Sequence, residues 1–263
     1  MYAWKCWRES RARFIFLLIM FTVTALLFTL QPGLGERNGW WYFDRSEYLR
    51  NPWPTTHVVF SMILSVLWCS GFLSAVFFGA TASGSEIEPG TIEYLWTRPR
   101  TRASVTWTHW GVCVAEMIIV TVVPMYLAAA LLAALLGGAQ TKAWNMPGLP
   151  ILGLLIAPWL MVIVGLPVLG LTTLMTALRR SASGGLIYTS GLVIVYAILR
   201  QIVIVPLHLN PPTLFTGPLV WLVSNNQMPY EPGPFPWGSL WRAVLLAAAF
   251  PLAAQYLLKR AEV

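Results

Sequence analysis

Residues 122–136 read Val122-Val123-Pro124-Met125-Tyr126-Leu127-Ala128-Ala129-Ala130-Leu131-Leu132-Ala133-Ala134-Leu135-Leu136, without a single charge. An apolar run of this kind neither alternates, as a half-solvated strand does, nor carries the polar stripe of a surface helix. Extended back to Val105, it exceeds the roughly 20 helical residues needed to cross about 30 Å of hydrocarbon. A transmembrane β-barrel would instead show segments of about ten residues with alternating polarity. The stretch therefore reads as a membrane-spanning helix, and the rest of the chain agrees. Of 263 residues, 57% are hydrophobic and 10% charged, with a mean hydropathy of +0.65. A soluble domain carries about 25% charged residues, and in water a chain this apolar would expose large oily patches.

Six stretches qualify as spans: Phe14–Leu30, Val58–Ala80, Val105–Leu136, Leu149–Leu178, Leu186–Leu207 and Leu240–Leu258. The expected fold is thus an all-α membrane protein of one domain, residues 1–263. Pro124, Pro158 and Pro167 lie inside spans, where kinks are expected because neighbours can satisfy the freed carbonyls. The first span follows a basic segment but is longer than a signal-peptide core, and Gln31-Pro32-Gly33 is no small-x-small cleavage site, so we read it as retained.

Short-loop basic residues set the orientation. Lys5, Arg8, Arg11, Arg13, Arg98, Arg100, Arg102, Arg179, Arg180, Lys259 and Arg260 fall on one side, eleven against Arg37, Arg45, Arg50 and Lys142 on the other. Both termini are expected in the cytoplasm of a multi-pass protein, its compartment the prokaryotic inner membrane. The net charge of +7 then reflects topology and anionic lipid; no concentrated basic patch points to nucleic acid. Tryptophans such as Trp4, Trp7, Trp107, Trp110, Trp237 and Trp241 flank the spans as an aromatic belt. Residues 1–13 mix these aromatics with Lys5, Arg8, Arg11 and Arg13, which predicts an amphipathic helix lying on the inner leaflet before the chain turns into the first span.

The connection from Ala82 to Thr106 is richer than a spacer. Thr91 is a candidate N-cap, Glu93 sits in the first turn where a carboxylate complements the helix dipole, and Ile92, Leu95 and Trp96 form an apolar stripe. Pro99 turns Arg98 away from helical geometry. A short cytoplasmic helix is predicted, acidic at its start and basic beyond its end. The run Glu86-Ile87-Glu88-Pro89-Gly90-Thr91-Ile92-Glu93-Tyr94-Leu95-Trp96-Thr97-Arg98-Pro99-Arg100-Thr101-Arg102 resembles the E-x-E-x-G-T-x-E-x-L-x-T-x-P-x-[ST]-R signature of ABC-2 type transporter permeases. Pro89 departs from the family, which usually has a polar or charged residue there. The resemblance implies that this segment is a coupling helix touching a separate ATP-binding subunit, with Glu86, Glu88, Gly90, Thr91, Glu93, Leu95, Arg98 and Arg102 forming or bordering the contact. It implies ATP and magnesium on that partner, none on this chain, and a second permease subunit, identical or related.

The chain itself has no phosphate-binding loop and no nucleophile elbow or metal-helix signature. Cys6, Cys69 and Cys113 make no disulfide framework, and His57, His109 and His208 no metal spacing. Glu116, about nine residues into the third span, and Arg200, in the fifth, are intramembrane charges and hence candidates for a translocation path. Gly71, Ala75 and Gly79 form a small-xxx-small seam that either packs within the subunit or joins two copies. The external stretch 208–239 is proline-rich yet apolar over Thr213–Val223, which predicts a re-entrant or interfacial segment.

The expected function is export of an amphiphilic or hydrophobic substrate such as a drug, lipid or peptide-like molecule, driven by a partner ATPase; the chain itself is no enzyme. A secondary transporter would show inverted repeats and ion-binding residues at the midplane; a lipid-modifying enzyme would show clustered acid, base or metal ligands. A non-transporting assembly subunit leaves the cytoplasmic helix without a purpose.

Overall fold

The computed structural model describes residues 2–31, 34–37, 40–43, 52–87, 102–136, 150–199, 218 and 235–260. These form helices α1 (Tyr2–Leu30), α2 (Pro52–Ile87), α3 (Arg102–Leu136), α4 (Pro150–Arg179), α5 (Ala182–Leu199) and α6 (Trp237–Arg260), with one hairpin of β1 (Leu34–Arg37) and β2 (Trp40–Phe43). Five helices are long and apolar enough to cross a membrane, over Ser10–Leu30, Met62–Ala82, Trp107–Leu135, Leu155–Arg179 and Trp237–Leu258. The expected fifth span is represented by α5, whose apolar part, Ala182–Tyr196, falls short of that length; residues 200–207 lie outside the described residues. The hairpin pairs Leu34 with Phe43 and Arg37 with Trp40, antiparallel. Its sequence signal is the dipeptide Asn38-Gly39, a common hairpin-turn pair, directly before the strand-forming aromatic run Trp40-Trp41-Tyr42-Phe43.

Tight contacts give the helix directions. Gly71 meets Met161, and Gly79 meets Leu169 and Thr172, so α2 and α4 run the same way. Gly165 approaches Met117 while Trp159 reaches Tyr126, which makes α3 antiparallel to α4. Ser10 meets Glu116 and Cys6 lies near Cys113, so α1 runs with α3. The bundle thus alternates direction from α1 to α5, as threading through a bilayer requires.

Helices α2 and α4 form its centre, with 61% and 67% of their spans buried against 22% for α1 and α6. The buried face of α2 follows helical spacing through Val59, Ile63, Leu67, Ala75, Phe78 and Ala82. Outside the centre the pattern inverts: Phe16, Ile19, Val23 and Leu27 on α1, Ile187, Ile194 and Ile198 on α5, and Leu245 and Leu252 on α6 all point outward. Faces so apolar need hydrocarbon around them, and together with the five spans they define a multi-pass α-helical membrane protein.

Several buried hydroxyls bond to carbonyls of their own helices, as an apolar solvent favours, whereas those of Thr121 and Thr189 have no hydrogen-bond partner among the described residues. Thr29 donates to the Ala25 carbonyl, Thr172 to Val168 and Thr176 to Thr172. Thr173 donates to its own Leu169 carbonyl and lies 3.3 Å from the Gly79 carbonyl of α2. Pro124, Pro158 and Pro167 sit within continuous helices, as expected, and Pro251 does the same in α6. Close to Pro158 a neighbouring helix adds a polar link: the Tyr126 hydroxyl donates to the Leu155 carbonyl at 3.4 Å and accepts from Trp159 Nε1 at 2.6 Å. Tyr126→Phe leaves the indole N–H without its partner on a lipid-facing surface. It should lower stability by about 0.6–1.7 kcal/mol, read as a drop in the midpoint of thermal unfolding in detergent.

The turn from α4 to α5 consists of Arg180 and Ser181. Ser181 caps α5, its hydroxyl accepting from the Gly184 N–H at 3.3 Å, and the Arg179 guanidinium lies 3.8 Å from the Tyr188 ring centroid. Arg180 has a φ of 52°, the left-handed conformation that costs a side-chain-bearing residue about 1–2 kcal/mol. Arg180→Gly relieves that strain and gives back part of the gain as unfolded-state entropy. Thermal unfolding should show a net stabilisation of about 0.5–1 kcal/mol.

Candidate functional site

One end of the bundle brings together the buried Ser10, His109 and Glu116. Along α3, His109, Cys113 and Glu116 recur at i, i+4 and i+7 and are all buried, so they share one helix face. Facing them on α1 are Cys6 and Ser10, also buried and four residues apart. From α2, Thr81 Oγ1 lies 3.9 Å from Cys113 Sγ. The same end holds the final turns of α2 and the first turns of α3, hence both attachment points of residues 88–101.

Glu116 is the chemically unusual member, at 2% exposure. The Ser10 hydroxyl donates to its Oε1, and Ser10 also lies 3.2 Å from the Cys6 and Trp7 carbonyls of its own helix. Glu116 Oε2 is buried with no hydrogen-bond partner among the described residues, and so is Trp110 Nε1. A carboxylate half-satisfied in an apolar helix interface is costly, because neither water nor a counter-ion replaces its hydration. No group of three or more His, Cys, Asp or Glu among the described residues is placed to hold a metal ion.

The expected site residues fare unequally. Glu86 lies on the last turn of α2, and Arg102 is the first residue of α3. Glu88, Gly90, Thr91, Glu93, Leu95 and Arg98 lie outside the described residues, as does Arg200. Glu116, on α3, is placed against α1. The N-terminal segment departs from its expected geometry: Tyr2–Leu30 is one continuous helix, with no turn between an interfacial piece and a span. No proline or glycine interrupts 2–30, so nothing in that stretch breaks the backbone ladder. Its amphipathic split is also rotated, with Cys6 and Ser10 inward, Trp7 half-buried, and Trp4, Arg8 and Arg11 exposed. Sequence reasoning passed over Ser10, which is an ordinary polar residue until α3 is set beside it. It also passed over Arg242, a charge inside the α6 span whose guanidinium extends back toward Gly238, one turn earlier.

Comparison with known proteins finds no matching family model, no matching curated protein and no matching solved structure.

Proposed function

We propose that this chain is the membrane-spanning subunit of an ABC-2 type exporter, working with a separate ATP-hydrolysing subunit and a second permease subunit. The observation that carries the reading is the run Glu86–Arg102, a combination of acidic pair, Gly-Thr, apolar stripe and Pro-Arg end suited to a helix that docks on a soluble partner. Its placement supports the reading. Helix α2 continues to Ile87 and α3 begins at Arg102, so the motif is suspended between two helices that pack on each other. A push on that segment is delivered to α2, one of the two central helices of the bundle.

In this proposal six spans cross the prokaryotic inner membrane, with α5 extended through 200–207 to complete the fifth. Both termini and residues 88–101 face the cytoplasm, and 208–239 forms the external re-entrant or interfacial segment. The abundant apolar surface and scarcity of charge favour an amphiphilic or hydrophobic substrate.

Affinity purification of the tagged chain from its native membrane in mild detergent tests this. A co-purifying ATPase in near-equal amount is expected. Recovery of the chain with other membrane complexes intact and no ATPase present would remove the reading.

A further inference from the structure

Glu116 is built as half of a site. One carboxylate oxygen is held by Ser10; the other is buried and unpartnered. The oxygens of a carboxylate accept hydrogen bonds or attract positive charge, so the group that completes this one is a cation or a hydrogen-bond donor. On α1, Trp7, Ser10 and Phe14 recur at i, i+3 and i+7 and so share the face turned to α3. An aromatic ring therefore stands one turn to either side of the serine that holds the carboxylate, and both rings are half-buried. Trp7 is further fixed by Trp4, the two ring centroids lying 5.0 Å apart. Aromatic faces and a desolvated carboxylate together suit a weakly hydrated, lipid-soluble cation. Access is lateral. Helix α1 is among the least buried spans and packs only on α3 and α2 among the main helix contacts, so its seam with α3 borders the lipid. Glu116 lies nine residues beyond Trp107, about 14 Å along the helix, a depth within the hydrocarbon that a lipid-soluble cation, its charge shielded by apolar groups, enters from the bilayer.

We propose that the α1–α3 seam binds a monovalent lipophilic cation, a protonated amine or a quaternary onium, with its charge on Glu116 and its apolar body against Trp7 and Phe14. That such a cation is exported cargo rests on the exporter reading above; the binding does not.

The test uses the purified full-length chain in detergent, without ATP or ATPase, and radiolabelled tetraphenylphosphonium as probe. Saturable binding at one probe per chain is expected. Glu116→Gln should weaken it at least about tenfold, the loss of one charged contact, with Glu116→Asp intermediate. Triphenylphosphine oxide, similar in shape and uncharged, should not compete. A second measurement needs no variant: dicyclohexylcarbodiimide should label the buried Glu116 carboxyl, and the probe should protect it. Wild-type affinity in Glu116→Gln, undiminished labelling under saturating probe, or no saturable binding would each overturn the proposal. Should the glutamine variant fail to fold, the protection experiment decides. Cation binding without a co-purifying ATPase would refute the exporter and leave this site standing; an ATPase partner without cation binding would do the reverse.

Discussion

Gly79→Leu should leave no folded protein in mild detergent at temperatures where the wild type stays monodisperse, whereas Gly71→Ala should stay folded with a modest loss of stability. Both glycines lie on the face of α2 that packs against α4, but they meet different atoms. A Cβ at Gly79 would sit 2.6 Å from the Leu169 carbonyl oxygen and 2.8 Å from Thr172 Cβ. Main chain cannot move aside without shifting α4, and Thr173 ties that helix to the Gly79 carbonyl. A Cβ at Gly71 would overlap both Cε and Cγ of Met161, so the whole buried side chain must turn, which its three rotatable bonds allow without moving the main chain. Overpacking a core costs about 1–3 kcal/mol and occasionally more. We place Gly79→Leu above about 3 kcal/mol and Gly71→Ala near 1 kcal/mol on that scale. Gly79→Ala and Gly71→Ala add the same atom at the two positions and make the sharper comparison. Size-exclusion profiles after graded heating would read the order, and a less stable Gly71→Ala would show that the α2–α4 contact has been misjudged.

The second large effect concerns coupling. With the proposed ATPase present, Glu93→Arg and Gly90→Trp should each reduce ATP-driven transport by more than about tenfold, since a charge reversal at a protein interface costs several kcal/mol. Membrane insertion and the thermal midpoint of the isolated chain should stay unchanged, because the proposed coupling role puts both residues in the connection between α2 and α3, outside the membrane spans. Transport into inverted vesicles containing both subunits, beside ATPase activity, separates uncoupling from loss of assembly. Full ATP-dependent transport in both variants would discard the assignment of residues 86–102.

Much of this architecture was legible one segment at a time. The apolar stretches located each of the five helices long enough to cross a membrane, because about 20 apolar residues in succession have one low-energy state in a bilayer, the closed backbone ladder of a helix. Helix ends were less legible: α1 extends twelve residues before Phe14, and α2 runs seven past Ala80, to Ile87. Hydropathy marks where the solvent changes, and a helix need not stop there. The hairpin was missed although Asn38-Gly39 announces it, because a search for spans treats everything between them as connection. For the candidate site, the intramembrane charge of Glu116 was visible from cost alone, while Ser10 carried no signal.

The sequence by itself determined that this is a membrane protein built of helices, which helices those are, and where charge would be expensive. Those properties depend on composition over a window of about 20 residues and need no knowledge of what lies alongside. Tertiary structure alone decided the partners. The seam of Gly71, Ala75 and Gly79 had two readings, and Gly79 against Leu169 and Thr172 assigns it to the interior of one subunit. Glu116 had several candidate roles, and Ser10 of α1, 106 residues away in the chain, gives it a neighbour that no local pattern encodes. Packing between spans joins residues remote in sequence through small shape differences, because lipid and side chains are equally apolar and only fit distinguishes them.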